Sequence, residues 1–149
     1  MIAVDTDLLV YSHRPDSPFH ELAFELIDSL RRGQAPWAIP WPCIHEFVAV
    51  VTHPKLFKQP TPVPLVFEAI EAWLAGGNAH LIGESEGYLE KLRKQATDGK
   101  ARGPRIHDAR IVAICLHHGI HELLSVDRDF KRFRDLRVRN PLQNSVHER

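Results

Sequence analysis

Four short stretches that read as strands, at 2–4, 37–39, 79–82 and 122–125, are separated by stretches whose apolar residues recur at helical spacing. Strands alternating with helices form a mainly parallel central sheet with helices on its faces, an α/β fold. The first run, Ile2-Ala3-Val4, passes into a short turn of helix over Leu8, Leu9, Val10 and Tyr11, and 13–16 is loop. Ser17-Pro18 reads as helix cap and first helical residue; Phe19, Leu22, Ala23, Leu26, Ile27 and Leu30 mark one face, and Gly33 ends the helix. Pro42 opens the next helix, and the prolines of 53–64 predict an irregular loop. A helix over 65–75 stops at Gly76-Gly77; Ser85 caps another through Tyr88, Leu89 and Leu92; 97–104 is loop. The nearly all-apolar helix 106–118 is expected to be central and buried, and Val138 marks a last short strand. The pattern predicts a single domain over 1–142 and a frayed tail over 143–149. A chain of 149 residues is long enough to bury roughly 70% of its unfolded surface without staples.

Overall charge selects no partner, because Lys plus Arg equals Asp plus Glu, 19 each. The basic residues nevertheless crowd into 91–110 and 128–139, which suits either a polyanion-binding face or a solvated surface balanced elsewhere. Cys43 and Cys115 lie far apart in apolar surroundings, as reduced core thiols of a cytoplasmic protein do. Asp5 and Asp7 interrupt any signal-peptide core, and no apolar run approaches the ~20 residues that span a bilayer. His117, His118 and His121 lack a second pair at zinc-finger spacing.

The acids carry the chemistry. Ligands of open parallel sheets bind beyond the carboxyl ends of the strands. Asp5 stands at one such end, and Ser125-Val126-Asp127-Arg128-Asp129 follows another. Taken singly, each acid also suits a turn or helix cap. Glu46 shares helical spacing with Cys43, Ala49 and Val50, and Asp108 with Ile111, Val112 and Cys115, so both are expected on faces that seek burial. Buried carboxylates are paired or bind a metal. Arg105 and Arg110 stand near Asp108, but four clustered carboxylates fit neutralisation by a divalent cation, and oxygen-only ligands point to Mg²⁺ or Mn²⁺.

"IAVDTDLLVYS", Glu46 in its short helix, "HDARIVAICLHHGI", "LLSVDRDFKRF" and "RVRNP", in that order from Ile2 to Pro141, resemble the PIN-domain ribonucleases, nearest in kind to VapC-type toxins of bacterial toxin–antitoxin pairs. The resemblance implies a PIN-like three-layer fold and a catalytic, metal-holding quartet of Asp5, Glu46, Asp108 and Asp127, with Asp129 as an additional acid in the last motif. Many members carry Asn where this chain has Asp7, which either faces the metal or caps the following helix. The resemblance also implies a homodimer and a small antitoxin protein whose tail blocks the acidic pocket.

The expected reaction is metal-dependent hydrolysis of RNA to 5′-phosphate and 3′-hydroxyl ends. Thr6 and Ser125 are supporting hydroxyls or plain turn hydroxyls. Lys94, Lys100, Arg102, Arg105 and Arg128 are candidates for RNA phosphate contacts. Trp37, Trp41 and Trp73 either stack bases or fill the core. The loop 53–64 either shapes substrate and antitoxin contacts or merely connects. Two rivals stand beside this reading. One is a haloacid-dehalogenase-like phosphatase with Asp5 as nucleophile; it lacks a later acidic strand end. The other is a non-catalytic RNA-binding PIN-like module, for which buried acids serve no purpose.

Overall fold

The computed structural model describes residues 1–143; most of the tail expected over 143–149 lies outside the described residues. Strands β1 (Ile2–Val4), β2 (Trp37–Pro40), β3 (Ala79–Ile82), β4 (Glu122–Leu124) and β5 (Arg137–Arg139) form one sheet in the order β3-β2-β1-β4-β5. Every pairing is parallel, with Val4 opposite Leu124 and Ala3 opposite Ala38. Six helices flank it: α1 (Thr6–His13), α2 (His20–Arg32), α3 (Trp41–Val51), α4 (Val63–Leu74), α5 (Tyr88–Asp98) and α6 (Arg105–His117). A short 3-10 helix at Arg128–Arg132 joins β4 to β5.

The central strands β1, β2 and β4 are apolar over most of their length, without alternation, because both faces are covered; the edge strands β3 and β5 carry exposed His80 and Arg137. Ala3, Val4, Trp37, Ala38, Ile39, Leu123 and Leu124 are fully buried. Helices α1 to α4 pack on one another, and α5 packs on α6. The chain moves outward from β1 to β2 and β3, then returns across the sheet to β4. With right-handed crossovers, that reversal puts α5 and α6 on the face opposite α1–α4. The expected burial of helix 106–118 is met, with Ala109, Ile111, Val112, Ala113, Ile114 and Cys115 all in the core.

Three helix starts differ from the sequence pattern, each for a local reason. Helix α2 begins at His20, not at Pro18, and Phe19 before it takes a left-handed conformation (φ 62°). The Ser17 hydroxyl donates backward to Arg14 O at 2.6 Å, closing the preceding loop instead of capping the helix. Helix α5 begins at Tyr88 after Gly87, whose φ of 89° suits glycine; Ser85 Oγ is taken by His117 Nε2 at 2.6 Å. Helix α4 starts at Val63, so Pro64 falls in its first turn, where a missing N–H breaks no helical bond.

Two contacts lock α2 to the sheet. Asn78 Nδ2 donates to the carbonyls of Leu30, Gly33 and Ala35 at 2.8–3.0 Å. Gly76 passes so close that a Cβ there would stand 2.6 Å from Arg31 O. The loop 53–64 is tied to the end of α1, where Arg14 Nη1 donates to Gln59 O at 2.8 Å and Thr61 Oγ1 at 3.1 Å.

Candidate active site

The direction of the chain reverses between β1 and β4, so the crevice beyond their carboxyl ends is the topological switch point. Asp5 leaves β1 into this crevice. Its backbone N–H donates to Leu124 O at 3.0 Å, continuing the β1–β4 ladder by one residue. Asp5 is buried, 5% exposed as a residue. Although Asp5 occupies the cap position of α1, it makes no capping hydrogen bond. Its Oδ2 accepts from Ser125 Oγ at 2.7 Å and its Oδ1 from Cys43 Sγ at 3.5 Å. Burial pushes the Asp5 carboxyl up to about 7; the Ser125 hydrogen bond opposes this and the Asp7 charge adds to it.

The other acids stand around Asp5. Asp7, in the first turn of α1 and half-buried, is pushed up first by burial and then by the charges of Glu46 and Asp127. Asp108, in the first turn of α6, is pushed up by burial and by the charges of Asp127 and Asp129, while Arg105 pulls it down. Asp127 caps the 3-10 helix, its Oδ1 accepting from Asp129 N at 2.8 Å. Ser125 Oγ links the two strand ends, donating to Asp5 while accepting from Asp127 N at 3.0 Å. Asp5, Asp7, Glu46, Asp108, Asp127 and Asp129 thus share one electrostatic neighbourhood.

Glu46 departs from its expected burial. The buried stripe of α3 is Cys43, Ile44, Phe47 and Val51, and Glu46 lies outside it, exposed. It reaches the neighbourhood from the solvent side, through its effect on Asp7. Asp129 sits at the rim, 2.7 Å from Arg105 Nη1, which also donates to Asp108 Oδ2 at 3.3 Å. Arg105 therefore bridges two acids. Lys94 is likewise engaged, with Asp98 at 2.5 Å and Asp135 at 3.4 Å. Lys100, Arg102 and Arg128 are exposed and have no carboxylate partner among the described residues. Trp37 and Trp73 are core residues, and Trp41 is exposed against the His45 ring.

Sequence reading missed Cys43 as a neighbour of the site. Its helical offset from Glu46 signalled a shared helix, but the approach to Asp5 comes from packing α3 against α1. Thr6 Oγ1 is buried with no hydrogen-bond partner among the described residues. Carboxylate and hydroxyl oxygens, with one orphaned hydroxyl beside them, make a donor set suited to a hard divalent cation. Among the described residues no three His, Cys, Asp or Glu side chains stand close enough to enclose an ion by themselves. The arrangement fits a cation that keeps water and takes one or two carboxylates, as Mg²⁺ does.

The PIN domain family model matches residues 2–136. The chain belongs to the PIN domain family. Two curated relatives in Mycobacterium tuberculosis, ribonucleases VapC48 and VapC43, are each 35% identical to it; the matches cover 92% of this chain and 94% of VapC48, and 99% of both this chain and VapC43. In solved structures, the fold is similar to a chain of VapBC2 from Rickettsia felis bound to a promoter DNA fragment. That match has TM-score 0.67 and 16% identity, and covers 94% of this chain and 98% of that one. The family match favours neither the phosphatase nor the non-catalytic reading. None of the described helices is long and apolar enough to cross a membrane.

Proposed function

We propose that this PIN-domain chain is a metal-dependent endoribonuclease, the toxin of a toxin–antitoxin pair, cutting RNA to 5′-phosphate and 3′-hydroxyl ends. One observation carries the reading: Asp5, buried at the switch point, is pushed up to about 7 amid further acids, with Arg105 bridging two of them. Such a site gains most when positive charge enters it. The VapC relatives, named ribonucleases and matched over nearly their whole length, support the same class.

Asp5, Glu46, Asp108 and Asp127 would hold one or two Mg²⁺ or Mn²⁺ ions, each through one or two carboxylates and water, with Asp129 as an additional acid at the rim and Asp7 coupled to Asp5 and Glu46. Such a cation supplies Lewis-acid charge, acidifying water near neutral pH and offsetting charge that develops on the phosphodiester. Ser125 orients Asp5 through its 2.7 Å hydrogen bond, fixing which carboxylate oxygen faces the crevice. Thr6, next to Asp5 in the chain and with a buried hydroxyl unpartnered among the described residues, is the other supporting residue. Lys100, Arg102 and Arg128 suit phosphate contacts that position RNA without reading its sequence.

A protein partner is supported by exposed Phe19, Leu22 and Phe24 around α2 and Leu65 and Phe67 on α4, more large apolar side chains than isolated surface residues explain. An antitoxin and a second copy of the chain are the expected partners, and the cytoplasm the expected compartment.

The test is to purify the chain and an Asp108→Asn variant and sequence the ends of RNA fragments each produces with MgCl₂ or EDTA. Cleavage by the parent with Mg²⁺, absent from the variant and from the EDTA sample, is the expected result. Equal cleavage in all samples overturns the metal mechanism, and no cleavage by the parent of total RNA from bacterial cells overturns the activity.

A further inference from the structure

Two grooves flank the acidic crevice, and they differ in charge. One, between α3 and α6, is lined by Pro42, His45, Glu46, Ala49, His107 and Arg110 among others. Its Arg110 is already paired with Glu84 at 2.6 Å, and Glu46 adds a negative charge. The other lies along the 3-10 helix. Beside Ser125 and Asp127 it is lined by Arg128 and Lys131. On the other side of Lys131 is a second groove of about 670 Å³, lined by Lys100, Arg132 and Arg134 together with Asp98 and Asp135. Lys131 lines both grooves, so one lysine stands between the acids and the basic groove beyond it.

The acids of that groove are already engaged. Asp135 accepts from Gln95 Nε2 at 2.9 Å and pairs with Lys94, and Asp98 pairs with Lys94 as well. Lys100, Lys131 and Arg134 are exposed and have no carboxylate partner among the described residues. The groove wall is held in shape by the backbone. Lys100 adopts a left-handed conformation (φ 50°), uncommon for a side-chain-bearing residue. Arg132 Nη1 stands 3.5 Å from the carbonyls of Gly99 and Lys100. Gly99 lies against Phe133, where a Cβ would meet the ring at 2.6 Å.

We propose that Lys131, Arg134 and Lys100 form a phosphate subsite for the RNA nucleotide flanking the scissile one, so that the strand leaves the acidic crevice along the 3-10 helix and not between α3 and α6. This rests on the reading of the chain as a ribonuclease. It adds Lys131 and Arg134 to the phosphate contacts and sets Lys94 aside as already ion-paired.

The test measures binding, not cleavage. A fluorescein-labelled oligouridylate is titrated in EDTA against the parent, Lys131→Ala/Arg134→Ala, the conservative Lys131→Arg/Arg134→Lys, and Lys55→Ala/Lys58→Ala on the distant 53–64 loop, by fluorescence anisotropy over a range of salt. A homopolymer suffices because phosphate contacts carry no sequence information. Expected are a loss of about tenfold or more in affinity for the alanine pair and a salt slope shallower by about 1.4, at ~0.7 per lost contact on a single strand. The conservative pair and the loop pair should bind like the parent. Equal affinity and slope for parent and alanine pair, or an equal loss in the loop pair, overturns the subsite. Parent binding lost in the alanine pair, with no cleavage of any RNA by the parent, keeps the subsite and overturns the ribonuclease reading. The residues are exposed, and unchanged thermal unfolding verifies that the variants fold.

Discussion

Ser125 Oγ donates to Asp5 Oδ2 at 2.7 Å across the carboxyl ends of β4 and β1, and the same oxygen accepts from Asp127 N at 3.0 Å. One buried hydroxyl therefore sets the orientation of an acid on each of two segments far apart in the chain. Ser125→Ala should leave Asp127 N–H without this partner and Asp5 without its main opposing hydrogen bond. The expected outcome is a loss of about 1–3 kcal/mol in urea unfolding and an Asp5 proton held to still higher pH, read by NMR titration of its carboxyl carbon. An unchanged titration in the variant would show that Ser125 is not what tunes Asp5.

The Asp5 value sets a pH dependence of stability for the metal-free protein. Its folded pKa, about 7, lies above the unfolded value of ~3.9. Between these the folded state holds a proton that the unfolded chain has released, so stability falls as pH rises from about 4 to 7. The contribution is fully present below pH ~4, is lost above ~7, and amounts to at most about 4 kcal/mol. Asp7 and Asp108, also raised, act with the same sign. Unfolding followed in EDTA across this range should show the decline, and millimolar MgCl₂ at pH 7.5 should restore stability. An Asp5→Asn variant should lose most of the slope.

Arg105 bridges Asp108 and Asp129, two of the acids proposed to face the cation. Arg105→Gln should change metal-free stability by less than about 1 kcal/mol, because the guanidinium is 41% exposed. It should also enlarge the rise in melting temperature produced by MgCl₂, since the acids then lack their resident positive charge. Identical rises in parent and variant would mean that Arg105 does not compete with the cation.

Asn78 tests the packing that positions the crevice. Asn78→Ala frees the carbonyls of Leu30, Gly33 and Ala35 from their shared donor, and a loss of about 3 kcal/mol in chemical unfolding is expected. The loss should appear without change in divalent-cation affinity, because the residue lies at the opposite end of the strands from Asp5.

Local pattern determined a great deal. The strands at 2–4 and 79–82 match the sequence reading to the residue: the first is a continuous apolar run in the centre of the sheet, the second, with exposed His80, is marked off by Gly76-Gly77 before it and Gly83 after it. Alternation with helices determined parallel pairing, and the family motifs lie where the strand ends put them. Helix starts were harder to read. Ser17 and Ser85 look like caps, yet each hydroxyl is drawn to a different partner, Arg14 O and His117, and the helices begin after a left-handed residue instead. The 3-10 helix after Asp127 escaped notice because four charged residues and one phenylalanine carry no periodicity.

Tertiary structure alone decided which acids meet and how. Strand order put Asp5 and Ser125 side by side at the reversal of the sheet. Packing of α3 against α1 brought Cys43 to Asp5 and left Glu46 in solvent. The turn between α5 and α6 carried Arg105 onto Asp129. Burial, charge–charge coupling and hydrogen bonding act through space. A sequence records each residue's chemistry and its near neighbours, while the distances that raise the Asp5 carboxyl exist only once the sheet has closed around it.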